Sequence, residues 1–315
     1  MQEVKFNYQN ITAKVSEDKV TVINKNLFVN TDTFDAKVIL AKDGKVICTK
    51  PLATAVAPLS EETYELPIAK QERPGEYTVT VSFHLKADTV WAKAGHEVAF
   101  GQYVYQVEKE PVVCTDEIEI IRSTHNIGIR GAHFEVLFSV LNGGLVSYKY
   151  AGREMIESIP KPNFWRAPID NDYGAGLPHK LGVWKEVSYG EVTAAVFNAR
   201  NGEVTCSYKF PKADASWDIT YKIYADGVIK VNNRFVAANE KTPMIPRIGL
   251  RMQMPETFTT LTYYGRGPEE NYRDRRTSQF FGEYSLPIKD MYEPYIRPQE
   301  NNHRTDIYWC AFTNK

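Results

Sequence analysis

WDITYKIYADGVIKV, residues 217–231, is the stretch that decides the fold class. In its first half, large apolar side chains alternate with polar ones, which is the period of a half-buried strand. Asp226-Gly227 tolerates the positive φ of a tight turn, and a second apolar run follows it, so the stretch predicts a β-hairpin. The pattern recurs around Asp43-Gly44 and Asn142-Gly143-Gly144. We therefore predict an all-β chain of antiparallel strands.

Composition and charge limit the classes of partner. The chain has 315 residues, of which 43% are hydrophobic and 24% charged, with a formal net charge of −1. This balance excludes disorder as the main state and gives no electrostatic basis for binding nucleic acid or a membrane surface. No stretch reads as a signal peptide or membrane span. We expect a cytoplasmic protein, with the periplasm as the alternative if a leader was removed with a missing amino-terminal part.

Two domains are predicted because a linker interrupts the series of strands. A Pro-containing linker at residues 109–116 separates two sets of strand runs. Residues 1–108, with about seven strand runs, suit an immunoglobulin-like sandwich, and residues 117–315 form a larger β domain. The best helical candidate is the stretch 176–187, where Leu177, Leu181 and Trp184 are spaced for a short, partly buried helix.

Common cofactor and catalytic motifs are missing from the sequence. The four cysteines lie far apart with no CxxC pair, and the six histidines form no HExxH motif. The sequence also lacks a glycine-rich phosphate loop and a G-x-S-x-G nucleophile turn. We therefore predict reduced structural thiols, no metal site and no cofactor in this chain.

Three loop-like segments combine aromatic residues with Arg, Asn and carboxylates. They are NFWRAPIDNDYGAG (163–176), YYGRGPEENYRDRR (263–276) and MYEPYIRPQENNHRTD (291–306). Aromatic faces stack on sugar rings, and planar polar groups bond to hydroxyls, so the composition favours a neutral polyol ligand. Trp165, Trp184 and Trp217 are expected in the core instead, because all-β cores accommodate large aromatic side chains.

The first segment contains a group of charges whose interpretation has two alternatives. Asp170, Asn171 and Asp172 could hold a cation or a sugar, although the EF-hand spacing is not met. The favoured interpretation is a polar cluster in which Arg166 pairs with Asp170 and Asp172 and anchors the loop that begins at Gly174.

The second segment contains two adjacent carboxylates, Glu269 and Glu270, followed by Asn271. Paired carboxylates are what a glycosidase needs across one bond. Adjacent residues point to opposite sides, however, so ion pairs with arginines are favoured over catalysis. The candidate arginines are Arg266, Arg273, Arg275 and Arg276.

These segments carry a family resemblance. FWRAPIDNDYG resembles the R-A-P-x-D-N-D-x-G signature of LacZ-type β-galactosidases of glycoside hydrolase family 2. YYGRGPEENYRDR and LPIKDMYEPYIRPQENNHR resemble two further motifs of that family. Residues 1–108 resemble the immunoglobulin-like domain after the catalytic barrel. Residues from 117 resemble the terminal, galactose-mutarotase-like β-supersandwich, and the resemblance implies that this domain is truncated here at its C-terminal end.

The resemblance implies a complete enzyme that hydrolyses terminal β-galactosides with retention, and a chain that lacks its catalytic part. The family's catalytic glutamates and magnesium ligands lie in an upstream barrel, so no catalytic residue is assigned here and the chain alone is predicted to be inactive. Gly174, Ala175 and Gly176 match the start of the family's mobile loop beside the active site. The implied partners are the catalytic barrel, a galactoside substrate and further copies in a homo-oligomer.

Three alternatives to this function stay open at the level of sequence. One is an independent carbohydrate-binding module. Another is an aldose-epimerase-like enzyme, which needs an acid and a base across one sugar carbon; His125, Glu300 and His303 are the candidates. The last is a purely structural interaction protein, which would bind no sugar.

Overall fold

The structure is a computed structural model that describes residues 2–108, 117–189, 196–200 and 202–314. The predicted linker, 109–116, lies outside the described residues. Within these ranges most elements are strands, which confirms the all-β prediction. In chain order the strands are β1 Ile11–Val15, β2 Lys19–Asn24, β3 Phe34–Lys42, β4 Lys45–Leu52, β5 Glu61–Glu65, β6 Gly75–Leu85, β7 Glu97–Val107, β8 Glu119–Arg122, β9 Asn126–Arg130, β10 Phe134–Ser139, β11 Gly144–Tyr150, β12 Arg153–Glu154, β13 Lys161–Asn163, β14 Val196–Arg200, β15 Glu203–Phe210, β16 Ala215–Ile223, β17 Ile229–Ala237, β18 Gly249–Arg251, β19 Thr260–Gly267, β20 Phe280–Pro287 and β21 Trp309–Thr313. The α-helices are α1 Gln2–Tyr8, α2 Asp170–Gly174, α3 Leu177–Lys180 and α4 Gly182–Tyr189, and short 3-10 turns lie at Thr31–Thr33, Pro211–Ala213 and Ile288–Asp290.

The first seven strands form a two-layer sandwich. One sheet has the order β1-β2-β5 and the other β4-β3-β6-β7, and all pairs are antiparallel. Alternate residues of each strand point inward, so apolar side chains from both sheets meet in one core. This core contains Ile11, Val20, Val22, Val38, Leu40, Tyr77, Val79, Val81 and Phe83.

A third sheet, β20-β19-β21, contacts the β4-β3-β6-β7 sheet. The amide of Gln102 on β7 accepts from the backbone N–H of Phe281 (2.8 Å) and donates to its carbonyl (3.2 Å). Phe280 meets Phe100 edge to face, with 4.1 Å between ring centroids. The outward face of the β4-β3-β6-β7 sheet is therefore covered by strands from the end of the chain.

The remaining strands build a second core. The sheets β12-β11-β10-β9-β8 and β14-β15-β16-β17 contribute to one hydrophobic cluster, and β13 pairs with β18. The predicted hairpin is confirmed: β16 pairs with β17 up to Ile223↔Ile229, and Gly227 has a φ of 89°. Trp165, Trp184 and Trp217 are all buried in this core, as predicted.

The helices agree only in part with the sequence analysis. The stretch 176–187 is helical as α3 and α4, and Leu181 and Trp184 are buried as predicted. The helices α1 and α2 were not predicted, and for α2 the prediction of a loop across 163–176 was wrong. Neither of these two helices buries a residue, so neither carries the apolar periodicity that identifies a helix in a sequence.

Contacts divide the chain into two compact units. The first is Met1–Pro111 with Thr259–Glu293 and Asn301–Lys315, and the second is Val112–Phe258 with Pro294–Glu300. The sequence predicts one domain across residues 117–315, whereas these contacts group β19, β20 and β21 with the first sandwich. These three strands belong to the first unit because their sheet packs on the β4-β3-β6-β7 sheet. The boundaries of the evolutionary domains stay a prediction.

Candidate functional site

A half-buried ion pair holds the start of α2. Nη2 of Arg166 lies 2.8 Å from Oδ2 of Asp172, and the two side chains are 25% and 14% exposed. The same carboxylate accepts the backbone N–H of Ile169 at 2.9 Å, which satisfies one of the donors left open at a helix N-terminus. Asp172 therefore caps α2 and also ties that helix to Arg166 in the segment before it.

The other members of the predicted polar cluster lie elsewhere. Asp170 pairs with Arg297 at 3.1 Å, and both side chains are exposed. The guanidinium of Arg297 also lies over the ring of Tyr173, 5.2 Å from its centroid. Asn171 is exposed. The cluster thus differs from the prediction because successive helical residues are about 100° apart, which turns Asp170 away from Asp172.

The segment Gly174, Ala175 and Gly176 connects α2 to α3. Gly174 and Ala175 are exposed, and a Cβ built on Gly174 would meet nothing within 4 Å. Gly176 has a φ of 68°, a conformation that glycine adopts without strain. Nζ of Lys180 donates to the carbonyl of Ala175 at 2.9 Å. This segment is therefore an open, glycine-punctuated link on the surface of the second unit.

A concave pocket of about 220 Å³ lies beside the ion pair. Arg166 and Asp172 supply its polar groups, and its other walls are apolar. The apolar lining consists of Trp165, Pro168, Leu177, Pro178, Leu181, Met244, Ile245 and Pro246. An apolar pocket with few polar groups is the usual form of a small binding site or of a socket for a partner's side chain.

The second predicted polar loop is held in place by buried polar contacts within the first unit. Glu270 is buried and binds Arg275 at 2.5 Å, and it accepts the backbone N–H of Asn302 at 2.7 Å. The predicted ion pairing is thus observed for Glu270 with Arg275. Glu269 is exposed. Because one carboxylate is buried in an ion pair and the other is exposed, the two do not form a facing acid pair.

Asn271 ties this loop to a distant part of the chain. It is fully buried, its amide donates to the carbonyls of Arg266 and Glu269, and its Oδ1 accepts from the N–H and hydroxyl of Thr305. Nδ1 of His303 lies 2.9 Å from the Asn271 carbonyl oxygen. An amide at this position is therefore needed for both its donors and its acceptor.

Sequence reasoning missed one buried acid, Glu76 on β6. Its side chain is 6% exposed, and neither carboxylate oxygen has a partner in hydrogen-bonding geometry. Burial raises the pKa of Glu76, and the Tyr264 and Tyr308 hydroxyls close to it offset only part of that rise. Its position in the strand alternation marks it as solvent-facing, so no sequence signal could have identified it.

No group of three or more His, Cys, Asp or Glu side chains converges as a metal site in the part of the chain that the structure describes. Across the same residues, no helix combines the length and apolarity that crossing a membrane requires. Cys48, Cys206 and Cys310 are free thiols.

Comparison with known proteins identifies the family. A model described as the β-galactosidase small chain matches residues 130–315, and one described as β-galactosidase domain 4 matches residues 20–106. The chain belongs to the β-galactosidase family. It corresponds to a carboxy-terminal part of a β-galactosidase, which confirms the resemblance of the three polar segments.

Curated β-galactosidases match nearly the whole chain. The β-galactosidase of Halalkalibacterium halodurans is 36% identical over 320 residues, which cover 98% of this chain and 31% of the relative. The β-galactosidase of Clostridium acetobutylicum is 36% identical over 290 residues, covering 90% and 32% respectively. That of Priestia megaterium is 32% identical and covers 99% and 31%. The chain thus spans about a third of the length of these relatives.

Proposed function

We propose that this chain is the non-catalytic region of an enzyme that hydrolyses terminal β-galactosides. In this proposal it supports the catalytic barrel and lends the Gly174–Gly176 segment to the rim of the active site. The observation that carries the proposal is the order of the two family matches, domain 4 followed by the small chain, over almost the whole sequence. The barrel, its magnesium and a galactoside are the implied partners, and a homo-oligomer in the cytoplasm is the expected setting.

The role of the rim segment is supported by the geometry of α2. Arg166 and Asp172 fix the helix at one end, and Gly174 at its other end has open space around it. A segment that is anchored on one side and open on the other can contact a bound substrate without distorting the fold that carries it. In this proposal the chain's own residues position and enclose the substrate. Bond cleavage requires carboxylates, which we assign to the barrel.

Retaining glycosidases need two carboxyl groups facing each other across the scissile bond, about 5 Å apart. Glu269 and Glu270 do not supply this arrangement. We therefore expect the purified chain to release no aryl alcohol from an aryl β-galactoside, and the full-length enzyme to release it readily. Turnover by the chain, with contaminating galactosidase excluded by immunodepletion, would contradict the assignment of catalysis to the barrel.

The rim proposal needs its own test in the full-length enzyme. Arg166→Ala should raise KM or lower kcat, because α2 and the segment after it lose their anchor. Lys212→Ala, which removes an exposed ion pair with Glu186, is the matched control and should leave both constants unchanged. Unchanged kinetics in Arg166→Ala would refute a role for this segment at the rim.

A carbohydrate-binding module is the second candidate, and the pocket beside Trp165 is the observation that favours it. Titration of galactose into the purified chain, followed by calorimetry, separates the two functions: binding by the chain alone supports the module. An epimerase has less support. Nδ1 of His303 bonds to a backbone carbonyl, and Glu300 pairs with Arg247 at 3.0 Å, so both groups have structural partners.

A further inference from the structure

Three loops lie together at one end of the first sandwich. They span residues 25–33, 53–60 and 86–96. The strand register establishes this, because Ala36 near the start of β3 pairs with Leu52 at the end of β4, and Phe34 pairs with Leu85 at the end of β6. The helix α1 lies at the same end. Its Lys5 binds Glu97, the first residue of β7, at 3.3 Å.

This end of the sandwich is apolar. Phe28 is 90% exposed and Trp91 is 65% exposed, at the tips of two different loops. The full set of exposed large apolar residues here is Val4, Tyr8, Leu27, Phe28, Val29, Leu59, Val90 and Trp91. We call this set the apolar end. Among the described residues, the loops at the opposite end (16–18, 43–44 and 66–74) expose no large apolar side chain and carry charges instead.

The loops of the apolar end are held in place. The side chain of Asn24, only 1% exposed, donates to the carbonyls of Val29 (2.8 Å) and Val56 (2.9 Å), which ties the first loop to the second. Nζ of Lys86 donates to the carbonyl of Asp32, which ties the third loop to the first. Exposed apolar side chains on a fixed backbone are typical of a surface that another protein covers, because little ordering remains to be done on binding.

We propose that the apolar end is the docking surface for the protein domain that precedes this region in the full-length β-galactosidase. Two observations favour this occupant. The chain spans about a third of its relatives' length, and the model that matches the first sandwich is described as domain 4, so other domains precede it in those relatives. Polypeptide that comes from those domains reaches α1 first, and α1 lies beside the exposed loops. The inference rests on the proposed function, since both assume a longer enzyme.

Hydroxyl-radical footprinting compares the 315-residue chain with the full-length enzyme. Phe28, Leu59 and Trp91 should be oxidised at least about five-fold more slowly in the full-length enzyme, because the preceding domain excludes water from them. Val46, exposed on β4, is the internal reference and should react equally in both. Equal oxidation of Phe28 and Trp91 in both proteins would overturn the proposal.

Two further measurements separate this proposal from its alternatives. Phe28→Ser should lower the melting temperature of the full-length enzyme and leave that of the chain unchanged, whereas Val46→Ser should change neither; an identical effect in both proteins would refute docking. If the chain alone is protected in a concentration-dependent way, the occupant is a second copy and the proposal is wrong. Loss of footprint protection with normal galactosidase turnover would refute docking only, and protection without turnover would refute the proposed function only.

Discussion

The ion pair between Arg166 and Asp172 can be measured by a double-mutant cycle in the 315-residue chain. Arg166→Ala removes one charge-assisted contact of a pair that is neither fully exposed nor fully buried. The expected loss in free energy of unfolding is about 1–2 kcal/mol, between the values for surface pairs and for buried charged hydrogen bonds. Asp172→Ala also removes the bond to the Ile169 N–H, so its expected cost is about 2–3 kcal/mol.

The double variant should lose less than the sum of the two single variants. The difference, about 1 kcal/mol, is the coupling between the two side chains. Urea denaturation monitored by tryptophan fluorescence reports on this unit, because Trp165, Trp184 and Trp217 lie in its core.

The exposed pair of Lys212 with Glu186 is the matched control. It has the same 2.8 Å separation as the Arg166–Asp172 pair but both of its side chains are well exposed, so no measurable coupling is expected. Equal coupling in the two cycles, or none in either, would refute the reasoning that partial burial strengthens the pair at α2.

Three further perturbations test the fold around the two cores. Burial raises the pKa of Glu76, so its carboxyl group keeps its proton to a higher pH in the folded protein than in the unfolded chain. The stability that Glu76 contributes is therefore greatest at low pH and falls as the pH rises through its folded-state pKa. Glu76→Gln should therefore raise the urea midpoint at neutral pH and flatten its pH dependence; an unchanged profile would mean that burial does not raise the pKa of Glu76. Phe164→Ala should cost about 3–5 kcal/mol by chemical denaturation, since this fully buried ring contacts Trp184, Phe210, Trp217 and Phe235. Asn271→Ala should expose residues 291–308 to limited proteolysis, and a cleavage pattern like that of the unaltered chain would show that the loop does not depend on this amide.

Local patterns in the sequence predicted much of this fold. Residues 217–231 form the predicted hairpin because both its period and its turn are local properties. The helical spacing of Leu181 and Trp184 likewise predicts a buried helix face. The pairing of Arg166 with Asp172 was predictable because the two residues are only six positions apart in the sequence.

Long-range contacts account for what could not be predicted. The partner of Asp170 is Arg297, which lies 127 residues further along the chain, and no local pattern links the two. Glu76 occupies a polar position in the alternation of β6, so the sequence marks it as solvent-exposed. Only the position of the β20-β19-β21 sheet, brought in from the end of the chain, reveals that it is buried.

One face of the first sandwich is covered by strands near the end of the chain, so this face stays exposed during part of synthesis on the ribosome. Residues 1–108 are complete long before β19 is synthesised, so the face around Gln102 stays uncovered while residues 109–259 are made. At the usual rate of bacterial translation this delay is on the order of ten seconds or more. During that time the open sheet face is available to chaperones, or to the same face of a neighbouring nascent chain on the same messenger RNA.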